Sequence, residues 1–286
     1  MNRWLVGARP RTLPAAVVPV IVGTAVAAGS GIVWWRAAAA LVVALSLQVM
    51  TNYVNDYADG VRGTDERRVG PVRLVAGRLA TPAEVRMAAL VAAITAALAG
   101  LTLALAVGPE LLVVGLASLA AGYLYTGGPR PYGYAGLGEV FVFLFFGVVA
   151  TAGTAYVHLE RLTGLALAVS VPVGLLVTGL LVVNNLRDIP TDAASGKRTL
   201  AVRLGDRGTR TLYCVLVGGA FAVTPLLALA RPWAVLALAA LPVASRPFRV
   251  VAGAATGPAL IPALVDTGRL QLAYGGLLAL GLAPSA

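Results

Sequence analysis

Charge is the scarcest property of this sequence. Charged residues make up 12% of its 286 amino acids, compared with about a quarter in an ordinary soluble domain. Hydrophobic residues make up 59%, and the mean hydropathy is +0.86. A soluble core cannot absorb so much apolar sequence, because too little polar surface remains to cover it. The composition excludes a soluble globular domain and predicts an all-α protein that crosses a membrane several times.

Cysteine and lysine each occur only once. Cys214 cannot form an internal disulfide, and its apolar surroundings predict a buried thiol. Lys197 is the single lysine beside 21 arginines, and it lies inside a polar motif. A compact ammonium group suits contact with a phosphate, and chance is the other interpretation.

Apolar runs of about 20 residues, the length that spans a bilayer, recur along the chain. We predict nine spans, of which the last two are the shortest: 11–29, 35–54, 82–107, 110–127, 138–158, 163–185, 209–229, 232–245 and 270–284. The polar stretches 55–81, 186–208 and 246–269 are predicted to be loops. The whole chain, 1–286, is predicted to form one domain with motif loops at 52–81 and 184–210.

The net charge of +10 follows from this topology. With the N-terminus inside, nine spans place 19 of the 22 basic residues on the side that also carries the three polar stretches. The positive-inside rule makes this side cytoplasmic. We therefore expect a multi-pass protein of the cell membrane with a cytoplasmic N-terminus and cytoplasmic motif loops. No nucleic-acid partner is needed to explain the charge.

The first polar stretch contains spaced aspartates. Asp56 and Asp59 are three residues apart and would share one face if the second helix continues through them. Asn52 lies one turn before Asp56, and Asn55 directly precedes it. Asp65 follows two glycines that would let the chain turn back.

The second polar stretch repeats this plan. Asn184 is followed by Asp188 and Asp192, which are four residues apart, and then by Lys197 and Arg198. Pro190 complicates a continuous helix but is tolerated in an early helical position. The shared plan suggests a pseudo-repeat of four-helix units whose two motifs face each other.

Carboxylates at these spacings suit a hard cation with oxygen ligands. Mg²⁺ fits when a phosphate completes its coordination shell, and neighbouring arginines could then bind diphosphate oxygens. A prenyl diphosphate combines such a head group with an apolar tail that matches the bundle. A solvated, charge-paired connection between spans is the alternative interpretation of each stretch.

The residues that carry this chemistry resemble the UbiA superfamily of intramembrane prenyltransferases. N-D-Y-A-D at 55–59, with G-T-D at 63–65 and G-P-V-R-L-V-A-G at 70–77, is similar to the first motif of that superfamily. N-N-L-R-D-I-P-T-D at 184–192, followed by G-K-R-T-L-A-V-R-L-G at 196–205, resembles its second motif. The sequences of both motifs most resemble those of the branch that prenylates 1,4-dihydroxy-2-naphthoate in menaquinone synthesis. The resemblance covers essentially the whole chain.

The resemblance implies a nine-helix bundle with a central cavity capped by the two loops. It implies that two Mg²⁺ bridging to diphosphate are held by Asp56, Asp59, Asp188 and Asp192. Asp65 would support the first metal site or orient the aromatic substrate. The residues expected to bind the leaving diphosphate are Arg73, Lys197 and Arg198. The further polar ligands would be Asn52, Asn55 and Asn184.

Two more residues are candidates for substrate contact. Tyr125 belongs to a group of four tyrosines near the cytoplasmic end of the fourth span, and aromatic faces could stabilise an allylic cation. An interfacial aromatic belt is the alternative. Glu139 opens the fifth helix, either as a substrate contact or as an ordinary carboxylate at a helix N-terminus.

The acceptor is the least constrained part of this prediction. Gly63 stands where many members of the superfamily carry aspartate, and the next acid is Asp65, a shift shared by the naphthoate branch. Another aromatic acceptor such as 4-hydroxybenzoate stays open, as do prenyl chain length and oligomeric state. A cation-coupled transporter is disfavoured because the aspartates lie at one end of the spans. A CDP-alcohol phosphotransferase is disfavoured because the sequence lacks the further signature residues of that class.

Overall fold

The computed structural model describes residues 2–64 and 72–283, and every regular element in them is helical. The α-helices are α1 (Arg3–Ala8), α2 (Pro14–Val26), α3 (Trp34–Arg62), α4 (Pro82–Val107), α5 (Glu110–Leu124), α6 (Gly138–Val142), α7 (Ala150–Leu159), α8 (Gly164–Ala194), α9 (Leu200–Ala228), α10 (Leu241–Ala252) and α11 (Ile261–Leu282). A π-helical segment, Phe143–Val149, joins α6 to α7. A 3-10 helix, Pro232–Ala240, leads into α10.

Several of these helices are long and apolar enough to cross a membrane. Six such spans occur in the described residues, and α1 with α2, bent by 54°, makes a seventh if the pair counts as one. The all-helical, multi-pass prediction is confirmed at this level. Helix α5 matches the predicted span 110–127 but has only 15 residues. Helix α11 begins nine residues before the predicted span 270–284, at Ile261, and ends at Leu282.

The outer faces of α4 and α5 are apolar and uncovered. Leu98, Leu105, Val113 and Leu116 are all at least 60% exposed. A soluble protein does not leave so large an apolar surface in water. These faces therefore fit a lipid environment.

The largest buried cluster joins α2, α7, α8, α9, α10 and α11. A second cluster, centred on Met50, Tyr53 and Leu74, packs α3 against α4 and the segment that follows the first motif. Each motif-bearing helix packs most extensively on the helix that follows it, α3 on α4 and α8 on α9. This arrangement holds the ends of α3 and α8, where the aspartates lie, on separate packed units.

The prediction that the polar stretches are loops is wrong over much of their length. Helix α3 continues through the first aspartates to Arg62 and ends at Gly63, whose positive φ of 71° suits glycine. Helix α8 continues to Ala194 with Pro190 inside it. In the third stretch, α10 extends to Ala252 and α11 begins at Ile261. The change to polar composition indicates where the apolar part of each helix ends, but the helices themselves continue beyond that point.

Candidate functional site

The first motif presents a fully buried carboxylate. Asp56 is 1% exposed and forms ion pairs with Arg9 and with Arg73, whose Nη1 lies 2.7 Å from its Oδ1. The Leu74 backbone N–H donates to the second oxygen at 3.1 Å. Arg9 reaches this position from a left-handed backbone conformation, φ 52°, between α1 and the following 3-10 turn. The N-terminal segment and the segment after the first motif therefore converge on Asp56.

Asp59 connects the two motifs. The Lys197 ammonium, which follows α8, donates to Asp59 Oδ2 at 2.7 Å, and both residues are buried. The Tyr134 hydroxyl donates to the other oxygen of Asp59. Burial, and then the Asp59 charge, raise the pKa of Tyr134 above its ordinary value, so the phenol remains a donor. The lone lysine thus joins the two motifs through a contact between residues that are 138 positions apart in the sequence.

The second motif is organised by an arginine. Arg187 donates to both carboxylate oxygens of Asp188, each at 2.7 Å, and to Asn184 Oδ1 at 2.9 Å. Asp192, one turn further on, is half-buried, and its carbonyl accepts the Lys197 N–H at 2.9 Å. The C-terminal turn of α8 therefore sets the backbone position of Lys197.

A pocket of about 530 Å³ opens beneath the two motifs. Its polar end is lined by Arg9, Arg11, Arg73, Arg187, Asn52, Asn55 and Asn184. Its remaining lining is mostly apolar and comes chiefly from α3, α5, α8 and the helix that contains the π segment. An anionic group at the polar end and a hydrocarbon chain in the apolar part would both find matching surroundings.

One wall of the pocket is aromatic. Ring centroids lie 5.6 Å apart for Tyr125 and Tyr132, 4.0 Å for Tyr132 and Phe141, and 6.0 Å for Phe141 and Phe145. Tyr125 lies at the C-terminal end of α5, and Phe145 lies in the π segment. The wall therefore runs from the charged end of the pocket into its apolar part.

The predicted site residues divide into three groups. Asn52, Asn55, Arg73, Tyr125 and Asn184 line the pocket. The four aspartates and Lys197 lie behind that lining, and the ion pairs described above hold Asp56, Asp59 and Asp188.

The third group, Glu139 and Arg198, does not line the pocket. Glu139 is buried and accepts a hydrogen bond from the Asn185 amide at 2.9 Å. Arg198 is exposed, and its backbone N–H bonds to the Tyr134 carbonyl. Asp65 lies outside the described residues.

Sequence reasoning did not identify several pocket residues, among them Arg9, Arg11, Gln48 and Arg187. The two N-terminal arginines are also expected from membrane topology alone. Their position around Pro10, just before the first apolar run, is the signal that could have identified them. Gln48, one turn before Asn52 on an otherwise apolar helix, is a second such signal.

The donor set fits Mg²⁺ that binds together with a diphosphate. Within residues 2–64 and 72–283, no three acidic, histidine or cysteine side chains form a group that could hold a metal ion by itself. Protein-bound Mg²⁺ commonly takes one or two carboxylates and completes its octahedron with phosphate and water oxygens. The paired aspartates at the ends of α3 and α8 offer such oxygens.

Fold and site together define a helical membrane protein whose pocket beneath the two motifs suits an anionic head group with an apolar chain. The sequence profile of the UbiA prenyltransferase family matches residues 16–255. The chain belongs to the UbiA prenyltransferase family.

Several proteins resemble this chain over nearly its whole length. The sequence is 52% identical to 1,4-dihydroxy-2-naphthoate octaprenyltransferase of Mycobacterium tuberculosis, over 98% of this chain and 97% of that protein. It is 37% identical to the octaprenyltransferase of the same name from Escherichia coli, over 98% and 94%. A UbiA homologue from Archaeoglobus fulgidus, solved with GPP and Mg²⁺, matches the fold with a TM-score of 0.67 at 13% identity, over 97% of this chain and 99% of that one.

Proposed function

We propose that this protein transfers a polyprenyl group from polyprenyl diphosphate to 1,4-dihydroxy-2-naphthoate, with loss of CO₂ and diphosphate, to give demethylmenaquinone in its reduced, hydroquinone form. The observation that carries the proposal is the Lys197–Asp59 contact, which closes the two motifs over a pocket that is basic at one end and apolar along the rest. The 52% identity to a naphthoate octaprenyltransferase supports the choice of acceptor.

The carboxylates at the ends of α3 and α8 would hold Mg²⁺ together with the diphosphate: Asp56, Asp59, Asp188 and Asp192. When bound, Mg²⁺ supplies positive charge that stabilises the departing diphosphate. In our proposal, the basic side chains now paired with the aspartates turn to the diphosphate oxygens as they develop charge: Arg9, Arg73, Arg187 and Lys197. Asn52, Asn55 and Asn184 contribute hydrogen bonds, and Arg198 and Asp65 support this end of the site.

The allylic carbon–oxygen bond breaks, and the oxygen of the leaving diphosphate keeps the electron pair. An electron-rich ring carbon of the acceptor attacks the resulting cation and forms the new carbon–carbon bond. The carboxyl group leaves as CO₂, and its bonding electrons return to the ring. The aromatic faces of Tyr125, Tyr132 and Phe141 stabilise the cation, and the apolar lining excludes water that would quench it. Glu139 helps to position the second motif through Asn185.

We also propose that nine segments cross the membrane around this pocket, which forms the central cavity capped by the two motifs. This count takes α1 with α2 as one span and includes α5 and α11. The distribution of the basic residues supports a cytoplasmic N-terminus and cytoplasmic motifs, in a cell membrane.

The test is an acceptor comparison with the purified full-length protein in lipid nanodiscs. Polyprenyl diphosphate and Mg²⁺ are supplied with either 1,4-dihydroxy-2-naphthoate or 4-hydroxybenzoate, and products are identified by mass spectrometry. We expect a decarboxylated, prenylated naphthalene product that disappears with EDTA. Transfer to 4-hydroxybenzoate alone would keep the reaction class and overturn the acceptor. Transfer to neither acceptor by folded protein would overturn the proposal.

A further inference from the structure

Arg11 differs from the other three arginines that line the pocket. Arg9 and Arg73 pair with Asp56, and Arg187 pairs with Asp188. Within the part of the chain that the structure describes, the Arg11 side chain makes no ion pair or hydrogen bond, although it lines the same pocket. The basic end of the pocket therefore carries one cation whose charge no described carboxylate matches.

The backbone around Arg11 is held in place. The Thr12 N–H bonds to the Arg9 carbonyl at 2.9 Å in the 3-10 turn that carries Arg11. On the other side, a Cβ added to Gly268 of α11 would lie 3.3 Å from the Arg11 carbonyl oxygen, so the two backbones pack closely. The guanidinium group is free to engage a ligand, while its attachment point is fixed.

A line of polar side chains runs from this turn into the pocket. The Asn52 amide nitrogen lies 3.4 Å from Thr12 Oγ1, and the Gln48 amide nitrogen lies 3.5 Å from Asn52 Oδ1. Gln48 lines the pocket one turn deeper than Asn52 and offers hydrogen bonds where its surroundings are largely apolar. Arg11 and Gln48 thus lie at two levels of one pocket wall, beside the first motif.

We propose that Arg11 binds the carboxylate of the aromatic acceptor, with Gln48 hydrogen-bonding a ring hydroxyl. This inference rests on the proposed function, because it takes the acceptor to be an aromatic acid with ring hydroxyls. The planar guanidinium forks onto a carboxylate through two parallel hydrogen bonds, which fixes the orientation of the ring. The arginines and the lysine paired with the aspartates serve the diphosphate, so the unmatched cation remains for the second anionic substrate.

Direct binding and steady-state kinetics test the assignment in the full-length protein. Arg11→Gln removes the charge, Arg11→Lys keeps the charge but not the fork, and Arg86→Gln is a matched control, because Arg86 is exposed on α4 and does not line the pocket. Binding of 1,4-dihydroxy-2-naphthoate is measured by titration calorimetry. KM is measured for each substrate, and 1,4-dihydroxynaphthalene serves as the acceptor that lacks the carboxylate.

We expect Arg11→Gln to raise Kd and KM for the naphthoate by about tenfold or more, the scale of a lost charged hydrogen-bond pair. Arg11→Lys should lie between this variant and wild type, and Arg86→Gln should match wild type. KM for the prenyl diphosphate, and Kd for the acceptor without a carboxylate, should not change. A raised KM for the diphosphate alone, or an unchanged Kd for the naphthoate, would overturn the inference. If wild type binds the naphthoate but transfers nothing to it, the proposed function fails while the Arg11 assignment still stands or falls on the binding data.

Discussion

Replacing Gly147 by alanine should separate helices that the pocket depends on. Gly147 lies in the π segment, and a Cβ built on it would come within 2.4 Å of the Gly174 Cα on α8. Real Cβ atoms do not approach backbone so closely, so the two helices must move apart. Overpacking of this kind costs about 1–3 kcal/mol. Phe145 and Phe146 directly precede Gly147 and line the pocket, so the displacement also reaches the aromatic wall.

Gly153→Ala is the matched control. Gly153 lies on α7, six residues further along, and no atom lies within 4 Å of an added Cβ. This change should leave stability unchanged or raise it by up to about 1 kcal/mol through helix propensity.

Thermal unfolding of both variants in the same detergent, followed by size exclusion, measures the difference. In a chain somewhat smaller than this one, each kcal/mol of destabilisation lowers Tm by about 2–4 °C. Gly147→Ala should therefore lower the apparent Tm by several degrees. Equal melting temperatures for the two variants would refute the close packing of the π segment on α8.

Two further predictions concern basic side chains. Arg210 donates to the carbonyls of Val251, Gly253 and Ala255 at 2.7 Å each and so caps the C-terminal end of α10. Arg210→Leu should cost about 2–3 kcal/mol of stability and lower the apparent Tm, with KM unchanged below the transition. An unchanged Tm would contradict this role. Lys197→Met should reduce kcat by about 100-fold and also lower Tm, because Asp59 loses its buried counter-charge. Lys197→Arg should restore Tm more fully than kcat. Full activity in Lys197→Met would show that the lysine has no part in the reaction.

The positions of the helices could be predicted because lipid imposes a simple rule on composition. Each predicted apolar run falls on one or more helical segments of the described residues. The ends could not be predicted as well. Helices α3 and α8 continue into polar sequence because the buried aspartates there are paired with basic side chains, which a hydropathy pattern does not register.

Spacing predicted which aspartates share a helix face but not what they contact. The contact between Lys197 and Asp59 depends on how α3 and α8 pack, and this is a property of the whole bundle. The sequence did not predict that Arg9 and Arg11 line the pocket, because arginines that flank a first span are expected from topology alone. Glu139 was correctly placed at the start of a helix, yet its carboxylate faces Asn185 and not the pocket.

The most direct test of the central claim, that the two motifs form one Mg²⁺-dependent prenyl-transfer site, is a single-turnover assay of diphosphate release and prenylated product. It compares wild type with Asp59→Asn, Asp188→Asn and Glu160→Gln. Glu160 is an exposed acid paired with Arg36, away from both motifs. We predict Mg²⁺-dependent product from wild type and Glu160→Gln, and a loss of at least about 100-fold in each aspartate variant. Normal turnover in either aspartate variant, or equal loss in Glu160→Gln, would contradict the two-motif site.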